Sequence, residues 1–162
     1  MTVLTLTALT TATAIGAALV AGIFYAFSTF IMQALGRLEP SAGIAAMQSI
    51  NVVVINPLFF AAFFGTGIAS LATVGARWFG EGPLGVAVPL GCVLYVVGCI
   101  GTTIAFNVPL NDRLAAVDAL DASSVALWQH YLSRWTFWNH VRTGASLLAS
   151  VALLVALLGQ RG

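Results

Sequence analysis

The stretch Arg134–Gly144, RWTFWNHVRTG, stands before the last apolar run of the chain, Thr143–Leu158. That run alone is short for a membrane helix, which needs roughly 20 apolar residues to cross a hydrocarbon core about 30 Å thick. Counting back about 20 residues from Leu158 places Asn139 and Arg142 inside the hydrocarbon or at its edge. Read this way, the chain has a fourth span whose polar side chains must turn inward and find partners.

Working outward, three further apolar runs precede it, at about Val3–Leu35, Val52–Ala76 and Leu84–Phe106. Of the 162 residues 60% are hydrophobic and 7% charged, and lysine is absent. The mean hydropathy is +1.00. Six arginines and five acids cannot coat a soluble domain of this length. The first run lacks a basic leading segment and continues past any cleavage site, so it is not read as a secretory signal. The expected fold is all-α: a single four-helix transmembrane bundle over residues 1–162, with short interfacial helices in the first and third connections. Arg77 and Arg161 on one side against Arg37, Arg113 and Arg134 on the other do not decide its orientation.

Small residues recur in columns: Ala14, Ala18, Gly22 and Ala26; Ala61, Gly65, Ala69 and Thr73; and Ala145, Ala149, Ala152 and Ala156. Such columns let backbones approach where lipid supplies no hydrophobic drive, so close packing is expected along all three. Cys92 and Cys99 lie about 10 Å apart along one helix, too far for a bridge between them, and read as packing residues. In the first connection Ser41 is a candidate cap for a helix carrying Ile44, Met47 and Ile50. The turn Arg77–Pro83 reads as a tight glycine-rich connection. The third connection, Asn107–Ser133, opens with NVPLNDRL and ends in a helix capped by Ser123 or Ser124 that runs into the fourth span.

The two longer connections share one side of the membrane, and the unusual polar residues gather there. Asn51 and Asn56 flank the start of the second span, and Asn107 and Asn111 the end of the third. On the fourth, Trp128, Trp135 and Arg142 are spaced by seven, with Tyr131, Trp138 and Asn139 near the same stripe. His140 falls about 100° from Asn139 and about 160° from Arg142, so a straight helix does not bring His140 and Arg142 to one narrow pocket. Taken singly, Trp128, Trp138 and Arg134 also suit an aromatic belt with a snorkelling cation. His130 and His140, ten residues apart, lack metal-ligand spacing, and Asp112, Asp118 and Asp121 read as caps or solvated turn residues. No phosphate-binding loop, dinucleotide fingerprint or nucleophile elbow is present. No basic patch exists to neutralise nucleic-acid phosphates.

NVPLNDRL, the run WxxYLxxWTFWNHVRT, and the segments FYAFSTFIMQAL and MQSINVVVINPLF together resemble the anthrone oxygenase-like family over nearly the whole chain. The resemblance implies a small four-helix membrane protein. Relatives in fungal aromatic polyketide pathways are associated with oxidising an anthrone to an anthraquinone by molecular oxygen. That chemistry needs a base, donors for a developing oxyanion and an apolar slot, and can proceed without metal or flavin, so no cofactor is expected. His140 is the candidate base, with an ordinary pKa of about 6.5. Arg142, Asn139, Asn107 and Asn111 are candidate anion donors, with Asn51 and Asn56 nearby. Trp128, Trp135, Tyr25 and Phe27 are candidate walls. The expected partners are the lipid bilayer, in a bacterial plasma membrane, and a small apolar aromatic ligand; a homo-oligomer is left open. The alternative is a non-enzymatic membrane protein that binds a hydrophobic ligand or serves as a subunit of a larger complex.

Overall fold

The computed structural model describes residues 3–79 and 85–159. It is all-helical, with four helices long and apolar enough to cross a membrane: α1 (Leu4–Leu35), α3 (Pro57–Trp78), α4 (Ala87–Ala115) and α5 (Ser124–Leu158). A shorter helix, α2 (Pro40–Val53), lies between the first two. The Arg77–Pro83 turn falls largely outside the described residues, which resume at Gly85.

Prolines and asparagines set several boundaries. Pro40 occupies the first turn of α2 behind Glu39, so Ser41 sits inside the helix and does not cap it. Asn56 breaks the apolar run expected to begin the second span near Val52. Its Oδ1 accepts from Phe59 N–H at 3.0 Å and Pro57 follows in the first helical position, so α3 starts there. Ser123 stands at the cap of α5 without a side-chain capping bond, while Ser124 Oγ donates to Asp118 O.

The third connection is shorter than NVPLNDRL suggests, because α4 continues to Ala115 through Pro109. A proline inside a helix lacks the N–H and crowds the carbonyl four residues back. Here the turn just before it, Thr103–Asn107, is wound as a π-helix, which widens the ladder where the ring must fit. Further π turns occupy Leu94–Gly101 in α4 and Phe27–Ile31 in α1.

The alanine column on α5 is a packing face: Ala145, Ala149 and Ala152 are all buried. The other two columns drift. Ala14 is buried, but Ala18 and Gly22 are exposed; Thr73 is buried, but Ala61 is exposed. Steps of four overshoot a full turn by about 40° each, whereas the 4-3-4 spacing on α5 stays in line. The close approach between α1 and α3 runs instead through Thr13 and Gly16 of α1 and Thr66 and Thr73 of α3. A Cβ added at Gly16 would strike the Thr66 side chain. Thr13 and Thr73 hydroxyls meet at 3.4 Å, and Ser150 Oγ donates to Ala14 O at 2.9 Å.

The interior has two parts. In mid-bundle Ala17, Val20, Phe24, Phe63, Tyr95, Cys99 and Ala149 pack together. At one end α2 folds under the bundle, and its Ile44 and Met47 pack with Met32, Leu114, Trp128, Tyr131 and Trp135. Trp128 is 1% exposed, so it is a core residue of this end and not a belt residue. A Cβ on Gly43 would come within 2.8 Å of its ring.

Candidate functional site

Between these two parts lies a cavity of about 460 Å³, within the range of roughly 300–1,000 Å³ typical of small-molecule sites. Phe24 and Phe27 of α1, Phe59 and Phe63 of α3 and Trp135 of α5 supply aromatic wall. Met47, Gln48 and Asn51 of α2 line it from the bundle end. From α4 come Val108, Asn111, Asp112 and Ala115, spaced as one helical face.

Arg142 lines the same cavity and is 6% exposed. Its Nε donates to Asn139 Oδ1 at 3.0 Å and its Nη1 to Thr103 Oγ1 at 3.3 Å. The guanidinium carbon lies 3.8 Å from the Phe24 ring centroid and 4.9 Å from that of Trp135. Rings under a cation recover part of the cost of desolvating it. Asn139, 0% exposed, holds the arrangement from behind. Its Nδ2 donates to Phe24 O at 2.8 Å and to Ser28 Oγ at 2.7 Å, which leaves the oxygen for Arg142. Ser28 belongs to the π turn of α1, and its hydroxyl also meets Thr143 Oγ1 at 3.1 Å.

A second group of bonds fixes the other polar edge. Asn111 Oδ1 accepts from Tyr131 Oη–H at 2.9 Å and from Trp135 Nε1–H at 2.8 Å. Asn51 Nδ2 approaches the Tyr131 hydroxyl at 3.5 Å, and Gln48 Nε2 donates to Leu114 O at 2.8 Å and to Val117 O at 3.0 Å. Tyr131 stacks between Trp128 and Trp135. The indole that walls the cavity is thereby held by its nitrogen and by its stacked neighbour.

Of the residues singled out in the sequence, the cavity gathers Phe27, Asn51, Asn111, Trp135 and Arg142. Asn139 stands behind Arg142 and not on the lining. His140 is exposed on the outer side of α5 and does not line the cavity; two residues from Arg142, it is turned about 160° away. The division of labour between His140 and Arg142 in one pocket is therefore not what the fold presents. Tyr25 is 60% exposed on the outer side of α1. Asn56 is the cap of α3, and Trp128 packs in the end core. Asn107, 1% exposed, donates to Trp135 O at 3.2 Å, and its Oδ1 has no partner among the described residues.

Thr103, Phe24, Gln48 and Asp112 line the cavity without having been anticipated. Asp112 carried a signal, since it lies one helical turn beyond Val108 and beside Asn111. Read as part of a loop it lost that face; on a continuous α4 it regains it. Apart from Asp112, Arg142 and a few neutral polar side chains, the cavity is lined by apolar residues. Among the described residues no three of His, Cys, Asp and Glu gather as a metal-binding group.

A family model described as anthrone oxygenase matches residues 53–152. The match takes in the α4 and α5 residues of the cavity, and α1 with Phe24 and Phe27 lies outside it. No curated protein and no solved structure matches the chain. With the match running from the end of α2 through most of α5, over more than half its length, the chain belongs to the anthrone oxygenase family.

Proposed function

We propose that the protein is a membrane-embedded oxygenase that uses O2 to convert a planar, enolisable aromatic of the anthrone type to its quinone without a cofactor. The observation that carries this reading is a cavity walled by aromatic rings with a buried guanidinium in its lining. Family membership supports it.

The chemistry balances on substrate and O2 alone. The CH2 carbon between the rings loses a proton, and the resulting anion, delocalised onto the carbonyl oxygen, passes an electron to O2. Carbon and oxygen then join as a peroxide, which loses water with the second hydrogen of that carbon. One oxygen atom ends in the new carbonyl and the other in water. Aromatic walls hold the ring plane and exclude water, and Arg142 with Asn111 supplies donors for charge on the carbonyl oxygen. Asn139 orients Arg142 and acts through it.

The non-enzymatic alternative draws on the same network, since Asn139 is sealed among helices. Arg142, however, belongs to both the network and the lining, and a bond set that served packing alone would not need to leave a guanidinium facing a void. The test is anthrone-dependent oxygen consumption by protein purified in detergent, with chelator present. Wild type is expected to exceed the spontaneous rate, Arg142→Met to lose turnover by about 10²–10³-fold, as removal of a preorganised donor does, and His140→Ala to keep it. Turnover no faster than background would remove this substrate class. Turnover lost in His140→Ala and kept in Arg142→Met would reverse the assignment.

A further inference from the structure

The apolar run that begins at Val52 does not stop where the helix breaks. Between α2 and α3 the chain turns an elbow at Val54–Asn56, and the large apolar side chains around it face out of the fold. Val52 is 71% exposed, Val53 69%, Ile55 66% and Leu58 84%. Connections ordinarily carry polar residues, and a patch of this kind marks a contact surface. The backbone at the elbow is closed without water. Val52 O accepts from Ile55 N–H at 3.2 Å and Val54 O from Asn56 N–H at 2.9 Å. Asn56 Nδ2 donates to Val53 O at 3.0 Å, and its Oδ1 takes Phe59 N–H. The Asn56 carbonyl takes Phe60 N–H at 3.0 Å, and Pro57 has no N–H to leave free. Lipid excludes irregular backbone because its polar groups go unsatisfied, and here one asparagine satisfies most of them.

α2 suits the same surroundings. Its 14 residues hold no charge, and its outward side chains are Ala42, Ala45, Ser49 and the two valines. A helix facing water ordinarily sets charged residues there. The corner at its other end does carry charge, with Arg37 and Glu39 exposed. α3 sets the depth. Its 22 residues reach about 33 Å, slightly more than the roughly 30 Å of a hydrocarbon core. At its far end Trp78 and Phe79 are exposed, as aromatic anchors at an interface are. That brings the elbow to the near edge of the hydrocarbon, on the cavity's side. We infer that the elbow and the outer face of α2 form a membrane-contact surface seated on the near leaflet, with acyl chains against Val53 and Leu58 and the charged corner at headgroup level. The occupant is lipid because the patch runs without a step into the outward stripe of α3, through Leu58, Phe64, Ile68 and Leu71, all exposed. Asn56, which stands off the cavity, serves this break as water serves an aqueous one. Val52 and Ile55 also line the cavity, so its flank opens at the level of the acyl chains.

The test attaches a fluorophore to single added cysteines, Val53→Cys and Leu58→Cys at the elbow and Leu38→Cys in the charged corner, with the protein in liposomes. None of the three positions lines the cavity, and all are exposed, so the substitutions leave the packing intact. Protein without an added cysteine is the blank, since Cys92 and Cys99 are buried. The Val53 and Leu58 labels are expected to lose most of their emission to lipids with a nitroxide high on the acyl chain, less to lipids with one low on the chain, and almost none to aqueous iodide. The Leu38 label is expected to respond to iodide. A second variant, Asn56→Asp, keeps an acceptor for Phe59 N–H and caps a helix in water as well as asparagine does. It removes the donor to Val53 O and sets a carboxylate in the elbow, so its thermal unfolding in liposomes is expected to shift below that of wild type. Iodide quenching of the elbow labels as strong as at Leu38, or Asn56→Asp as heat-stable as wild type, would mean an elbow in water and overturn the inference. Labels shielded from both quenchers would mean that a second copy or another protein covers the patch, and would overturn it too. Neither readout depends on what the cavity binds, so the oxygenase reading stands or falls separately.

Discussion

One amide oxygen, that of Asn111, accepts from both Tyr131 and Trp135, and both donors are nearly out of contact with solvent. Replacing Asn111 with leucine keeps the size of the side chain and removes the acceptor. Each buried donor left unpaired costs about 1–3 kcal/mol. Asn111→Leu is expected to unfold at lower denaturant in detergent, and Tyr131→Phe added to it should recover part of the loss. An Asn111→Leu protein as stable as wild type would show that the two donors find other acceptors. Residues of this kind were legible because an amide or a guanidinium within an apolar span stands out chemically. Their directions were legible in part: the depth of Arg142 in the apolar span turns it inward and the two-residue step sets His140 about 160° away, yet the base was still sought at His140. Phe24 and Ser28 were illegible. Each meets Asn139 across more than a hundred residues, and a phenylalanine or a serine in an apolar helix is ordinary.

Helix number and approximate extent followed from hydropathy, since apolar runs of that length have few alternatives in lipid. The contacts between helices did not follow from counting small residues by fours, because such a column rotates away from its partner along the helix. The continuation of α4 through Pro109 was also hidden, as it depends on a π turn that local composition does not announce. Glycine separates close approach from open space. A Cβ at Gly98, in the long π turn of α4, would lie 2.8 Å from Ala145 Cβ on α5. Gly98→Ala is therefore expected to destabilise by about 1–3 kcal/mol through overpacking, and Ala145→Gly should restore part of it. At Gly65 an added Cβ meets nothing within 4 Å. Gly65→Ala should be neutral or gain up to about 1 kcal/mol of helix propensity. Thermal unfolding of both variants in one detergent checks the contrast, and equal effects at the two sites would mean that the α4–α5 seam yields.

At the scale of the whole molecule, the cavity lies where the bundle core meets the end core, with α2 folded beneath, and part of its lining is also outer surface. Val52, Ile55, Phe60, Phe64, Ile104 and Val108 all line it, and all are exposed large apolar residues. They come from the end of α2, the link after it, α3 and α4, so the cavity reaches the apolar flank of the bundle between these elements. A ligand dissolved in the bilayer could enter there without crossing water. Burying a CH2 from water is worth about 0.8 kcal/mol, and a ligand already in lipid has made most of that gain before it binds. Across a series of 2-alkylated anthraquinones, binding constants measured in liposomes and written per litre of water should follow lipid partitioning, strengthening about three- to fourfold per CH2. Written per mole fraction in lipid, the same constants should stay nearly level until the chain no longer fits. Constants that level out per litre of water and weaken per mole fraction in lipid would mean that the bound ligand's alkyl chain lies toward the aqueous end, past Asp112, and not toward the flank. Entry from the aqueous end would leave the association rate unchanged in Phe60→Trp, which adds bulk at the flank, whereas entry from lipid predicts that it slows.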